Sequence, residues 1–185
     1  MSLEYAILGF LNYQPLSGYD LKKAFDHSVR HFWYADQSQI YRTLARLTAQ
    51  GWAEVEVVEQ TERPDRKVYH ITPEGKEELH RWLKSPYPDQ PQHSAPLIQV
   101  FFFGQLTDEE VRAKFSEAAA LFRSTLERFE NVPQQAEDYM QMVASPREAF
   151  FGLQTLELGI QTLRLQLEWA ENVLRMLDRH EIPEK

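Results

Sequence analysis

The chain has 185 residues, a hydrophobic fraction of 43% and a formal net charge of −8. It is long enough for one large or two small domains, and too apolar for a disordered chain. It has no cysteine, which excludes disulfides and cysteine-ligated zinc. No apolar run approaches the ~20 residues of a membrane span and no secretion signal opens the chain, so a cytoplasmic protein is expected.

Up to residue 93 the chain carries 11 basic and 13 acidic residues, and beyond it 9 and 15. Most of the acidity therefore lies in the C-terminal half. Local basic clusters, not the total, decide whether nucleic acid is a partner.

Leu3, Ala6, Ile7, Phe10 and Leu11 form one apolar helical face, and Gln14-Pro15-Leu16-Ser17-Gly18 breaks that helix. Ser17 and Asp20 then give a capping-box start to a second helix reaching about residue 30, with Leu21, Ala24 and Phe25 inward. Asp36 and Gln39 start a third helix in the same way. It buries Ile40, Leu44 and Leu47 and ends at Gly51.

The period then changes from helix to strand. Ala53, Val55 and Val57 alternate with Glu54 and Glu56, a polar loop covers 60–66, and residues 68–71 return as a second strand. Thr72-Pro73-Glu74 starts a fourth helix with Leu79, Trp82 and Leu83 on its apolar side.

Pro86, Pro88, Pro91 and Pro96 mark a linker over 85–96. The run 97–103 is apolar enough to be wholly buried, and is read as helical. Thr107 and Glu110 cap a long helix bearing Val111, Phe115, Ala118, Phe122, Leu126 and Phe129, ended by Pro133. A short helix is expected over 134–143. Ser145 and Glu148 start the last helix, in which Leu153, Leu156, Ile160, Leu163, Leu167, Ala170, Leu174 and Leu177 repeat as an unbroken heptad seam.

A second apolar set (Leu158, Leu165, Trp169, Val173, Met176) lies off that seam. A helix with two apolar stripes needs cover on two sides. The seam residues Leu153, Leu156, Ile160, Leu163, Leu167, Leu174 and Leu177 are the candidates for dimerisation, the alternative being a helical bundle within one subunit.

The first part therefore has winged-helix order: three helices, a β-hairpin and a fourth helix. Four blocks, Tyr5-Ala6-Ile7-Leu8-Gly9-Phe10-Leu11, Ser17-Gly18-Tyr19-Asp20-Leu21, Ser38-Gln39-Ile40-Tyr41-Arg42-Thr43-Leu44 and Pro64-Asp65-Arg66-Lys67-Val68-Tyr69 followed by Ile71-Thr72-Pro73-Glu74-Gly75, stand in order over most of 3–83. Together they resemble the PadR family of transcriptional regulators. Length and helix layout resemble that family's longer-tailed branch. The resemblance implies a homodimer, usually a repressor, released from its operator by a small molecule or another signal.

The residues themselves suit DNA. The face of the third helix opposite Ile40, Leu44 and Leu47 is expected to carry Gln39, Arg42, Thr43 and Arg46. Arginine can bond guanine and glutamine adenine in the major groove. Ser38 and Tyr41 stand near the helix start, within reach of phosphate. Arg63, Arg66 and Lys67 on the wing, with Lys22 and Lys23 on the second helix, complete the basic set. Arg42, Thr43 and Gln39 are the candidates for base edges, and the wing for phosphate or the minor groove.

Other chemistry is thin. His27 and His31 stand four apart, without an H-E-x-x-H pattern or an obvious third ligand, and read as surface residues. There is no nucleophile elbow and no glycine-rich phosphate loop, so neither an enzyme nor a cofactor or metal is expected. Trp33, Trp82 and Trp169 are candidate stacking partners for an aromatic effector.

The expected architecture is mainly α with a small β-hairpin: a winged helix-turn-helix over 1–84, a linker over 85–96 and an all-α dimerisation and effector domain over 97–185. The expected function is a DNA-binding regulator acting on a palindromic operator. The alternative is a winged-helix interaction module or sensor without a DNA role.

Overall fold

A computed structural model of the chain describes residues 2–30, 32–59, 65–87, 94–131, 143 and 145–183. The chain divides into two compact units, Met1–Tyr87 with Ala136–Gly152 and Pro88–Gln135 with Leu153–Lys185. The helix expected over 134–143 lies outside the described residues, except for Val143. Among the described residues no helix is long and apolar enough to cross a membrane.

In the first unit, α1 (Ser2–Tyr13), α2 (Gly18–His27) and α3 (Gln37–Ala49) pack around Ile7, Leu8, Leu21, Phe25, Ile40, Leu44 and Leu47, all fully buried. Each such side chain contributes ~1.5–3 kcal/mol by leaving water. Both expected capping boxes form, from Ser17 to Asp20 and from Asp36 to Gln39. Helix α2 stops at His27, where Ser28 turns its hydroxyl back onto the Ala24 carbonyl at 2.6 Å. Gly51 ends the turn after α3 at φ 75°, the left-handed conformation that favours glycine.

The sheet has three strands, not two. β2 (Ala53–Val58) pairs antiparallel with β3 (Arg66–Ile71), and a two-residue strand β1 (Leu16–Ser17) pairs with the other edge of β3, placing Leu16 opposite Tyr69 and Ser17 opposite Val68. The segment read as a helix break is thus also the third strand of the wing sheet. Helix α4 (Pro73–Leu83) follows, capped by Thr72, and is fastened to α1 by Trp82 stacked on Tyr5 at 4.6 Å. Leu83, expected inward, is exposed.

In the second unit, α5 (Ala95–Phe101) begins inside the expected linker. Ser94 caps it, and Pro96 fits its first turn because no helical partner is lost there. A single 3-10 turn (Phe103–Gln105) leads to α6 (Asp108–Glu130), and the unit also holds residues 153–178 of α7 (Pro146–Asp178), the longest helix described. Arg112 to Asp178 at 2.6 Å, Arg123 to Glu171 at 2.7 Å and Arg164 to Glu130 at 2.7 Å run in opposite order along the two helices, so α6 and this part of α7 are antiparallel. Between them lie Phe115, Ala119 and Ala170, with Phe103, Leu167 and Leu174 packed around.

Two expectations change here. The heptad seam mainly covers the interior of its own chain: Leu156, Ile160, Ala170 and Leu177 are buried, and Leu167 and Leu174 pack on α6. Leu158 and Leu165 of the second stripe face outward, 66% and 67% exposed, and Phe150, Phe151, Trp169 and the seam residue Leu153 are exposed as well. The run 97–103 is helical in its first part but not wholly buried, because Leu97, Ile98, Phe101 and Phe102 all face outward.

Candidate nucleic-acid interface

Helix α3 presents Ser38, Gln39, Tyr41, Arg42 and Arg46 outward. The stripe Ile40, Thr43, Leu44, Leu47 packs inward at i, i+3, i+4, i+7, as a core-facing helix requires. Thr43 is only 2% exposed. It cannot reach a base edge and leaves the set of sequence-reading candidates. Its hydroxyl oxygen faces the Arg46 guanidinium at 3.4 Å.

The first turn of α3 is tied by its own cap. The Asp36 carboxylate accepts from the Ser38 hydroxyl at 2.7 Å and from the Gln39 backbone N–H at 2.8 Å, while the Gln39 side-chain carbonyl accepts from the Asp36 N–H at 3.0 Å. The Ser38 hydroxyl, followed by the Gln39 backbone N–H, holds the Asp36 carboxyl below its ordinary range, with Arg42's charge adding a little. Gln39 and Ser38 thus serve the helix start before they can serve a ligand.

The cations sort by what holds them. Arg46 reaches Glu4 of α1 at 3.2 Å, Arg66 of β3 reaches Asp20 of α2 at 2.5 Å, and Lys22 pairs with Asp26 beside the Tyr34 ring. Arg42, Lys23 and Lys67 are exposed and form no ion pair with any described residue. An arginine on the exposed face of α3 and a lysine at the wing are therefore free to meet an anion. Arg63 lies outside the described residues.

One joint connects these elements, and sequence reasoning missed it. A Cβ on Gly18 would fall 2.4 Å from Tyr41 Cε1, so the Tyr41 ring of α3 rests directly on the first residue of α2. Burial pushes the Tyr69 phenol of β3 up, and the neighbouring Tyr41 adds to that shift. On the other side of the same turn, Asp20 Oδ2 accepts from the Ser17 hydroxyl at 2.6 Å and from Arg66. Burial works to raise the Asp20 carboxyl, but Ser17 and Arg66 together hold it below the ordinary carboxylate range. Only the paired spacing Ser17–Asp20 hinted at this, and it shows a cap, not a third partner.

The tryptophan candidates separate as well. Trp33 and Trp82 pack on the core of the first unit. Trp169 borders a cavity of about 500 Å³ in the second unit, with Phe103, Val111, Phe115 and Val173. Its ring meets Phe115 edge-on at 5.2 Å. Among the described residues no group of three histidine or acidic side chains is arranged to hold a metal ion.

A three-helix core, a three-stranded wing sheet and an outward helix bearing an unpaired arginine define a winged-helix regulator. The family model for the PadR-like transcriptional regulators matches residues 7–81, and that of the virulence activator alpha C-terminal region matches 94–178. Residues 7–81 thus match the DNA-binding module of the PadR-like transcriptional regulators. The chain is 29% identical over 186 residues to the negative transcriptional regulator PadR of Bacillus subtilis, covering 96% of this chain and 98% of that one. The fold matches the crystal structure of B. subtilis PadR in complex with operator DNA at a TM-score of 0.81, with 27% identity and coverage of 96% and 99%. It matches the same protein in complex with p-coumaric acid at 0.72, with 28% identity and the same coverage.

Proposed function

We propose that this chain is a homodimeric, sequence-specific DNA-binding repressor, acting in the cytoplasm by binding and not by catalysis, and released from its operator by a small aromatic molecule. The observation that carries this reading is the pair of unpaired cations, Arg42 on α3 and Lys67 on β3, displayed by a fold similar to that of a PadR in complex with operator DNA. In this reading Arg42 reads a base edge and Lys67 neutralises phosphate. The second subunit docks on the outward apolar residues of the second unit, Leu158 and Leu165 foremost. The effector enters the cavity beside Trp169, which has no basic residue in its lining; a ligand such as p-coumaric acid would keep its carboxylate toward solvent.

The test is binding to the DNA upstream of the chain's own gene as salt is raised. A dimer neutralising ~6–10 phosphates loses ~10³–10⁵ in affinity between ~50 and ~200 mM salt. The net charge of −8 favours a second reading, a winged-helix interaction module. A flat salt response with no preference for any genomic fragment would select that one.

A further inference from the structure

We propose that Asp20 is a positioning residue for DNA recognition: it anchors the wing, through Arg66, to the turn on which the Tyr41 ring of α3 rests. The proposal rests on the DNA-binding reading and deepens it.

The geometry is specific. Arg66 is the first residue of β3 and pairs with Val58, the last residue of β2, and so stands at the hairpin-loop end of the sheet. Asp20 is the N3 residue of α2, held by the capping box with Ser17. Ser17 in turn is a strand residue, paired with Val68 two positions from Arg66. The Ser17 hydroxyl, the Ser17 N–H and Arg66 Nη2 all converge on one atom, Asp20 Oδ2, at 2.6, 3.2 and 2.5 Å. Next to it, Gly18 carries the Tyr41 ring. Residues 17–20 therefore touch the wing on one side and the recognition helix on the other.

A DNA site is read at two places at once, by base contacts from α3 and by backbone contacts from the wing. The spacing between them must be fixed before binding if both are to fit one duplex. A surface ion pair alone adds little stability, but here the carboxylate is held by the cap and cannot wander. The guanidinium has five N–H donors in a rigid fork and gives one to Asp20, so the others can meet a phosphate without breaking the pair. Asp20 contributes a negative charge close to the DNA side, which by itself weakens general attraction to phosphate. The position therefore favours discrimination over bulk affinity.

The experiment compares the full-length chain with D20N, D20E, R66Q, D20N/R66Q and S17A. The DNA probes are a genomic fragment selected by the wild type and a random duplex of equal length. Asparagine at 20 keeps an oxygen for the cap and removes the charge. We expect D20N to lower the operator-to-random affinity ratio about tenfold, the scale of one charged hydrogen bond, with random-DNA affinity unchanged or higher. D20E should keep most of the ratio, and D20N/R66Q should lose no more of it than R66Q alone. S17A removes a capping hydroxyl but keeps the Ser17 N–H, the Asp20 charge and Arg66, and should lower Tm while losing much less of the ratio than D20N does.

A D20N chain that melts normally and keeps the wild-type ratio overturns the proposal. So does an S17A chain that loses the ratio as D20N does, because the cap alone then explains the effect. If D20N fails to fold, R66Q with its intact capping box decides: an unchanged ratio there is equally fatal. A wild type without preference for any fragment overturns the DNA-binding reading, and this proposal with it.

Discussion

Arg46 on the outward face of α3 reaches back 3.2 Å to Glu4, a buried residue of α1. The contact makes Arg46 partly a structural residue, and leaves Arg42, one turn earlier, as the arginine of α3 free of any ion pair with a described residue.

Arg46→Ala should therefore cost ~1 kcal/mol of stability, since a buried carboxylate loses one ionic partner. Arg42→Ala should change stability by less than ~0.5 kcal/mol but cost ~1–3 kcal/mol of operator binding, and relax preference at one base pair. Urea unfolding and a panel of operator variants separate the two. Equal stability losses in both would remove the distinction.

Lys67→Ala should weaken binding to all sequences alike and reduce the salt slope by about one. Titration at several salt concentrations measures it. A loss confined to the operator would move Lys67 from phosphate contact to base reading.

Thr43→Ala should behave as a core substitution. Its buried side chain leaves a small void, expected to cost ~1–2 kcal/mol with base preference untouched. A changed preference without a stability loss would return Thr43 to the DNA face.

The acid limb of the stability curve should depend on Asp20. Its folded pKa is depressed, so its contribution is complete above the unfolded value, near 3.8, and is lost as pH falls through the lower folded value. Urea midpoints taken from pH 5 downward should fall less steeply for D20N than for the wild type. Parallel curves would mean that the pair is not formed in solution.

Replacing both Leu158 and Leu165 by glutamate should yield a folded monomer, because the two side chains are already exposed in the single chain. Sedimentation gives the mass and circular dichroism the fold. The same change at Ile160, which is buried, should unfold the second unit instead. A mutant that stays dimeric would place the interface elsewhere.

If aromatic compounds release the operator, Trp169→Leu should blunt that release while leaving DNA affinity intact. Trp82→Phe, on the α1–α4 stack, should affect stability alone. Loss of response from Trp82→Phe but not Trp169→Leu would reject the cavity as the effector site.

The elements of the first unit were largely legible in the sequence, because their signals are local. Ser17 with Asp20 and Asp36 with Gln39 are complete capping signals, and the switch from period 3.6 to period 2 at Ala53 needs no tertiary information. Thr43 was misplaced because its hydroxyl reads as polar, although position i+3 from Ile40 belongs to the inward stripe. Strand β1 was invisible for the opposite reason: two residues carry no period, and only the approach of β3 makes them a strand.

The second unit shows a different limit. Spacing reveals that α7 has two apolar stripes but not which one its own chain covers, and α6 took the seam residues Leu167, Ala170 and Leu174. The outward apolar residues of α5 show the same limit, since an apolar run has no mark for what will cover it. The Asp20–Arg66 pair joins positions 46 apart in the chain, a distance at which no local pattern speaks.

Because Leu16 and Ser17 complete the sheet from outside the hairpin, the wing is not a detachable cassette. A chimera that exchanges residues 53–71 with those of a relative would inherit a foreign edge strand and a foreign acid opposite its arginine. Transplanting the groove preference of one regulator into another would therefore have to carry residues 16–20 along with the hairpin.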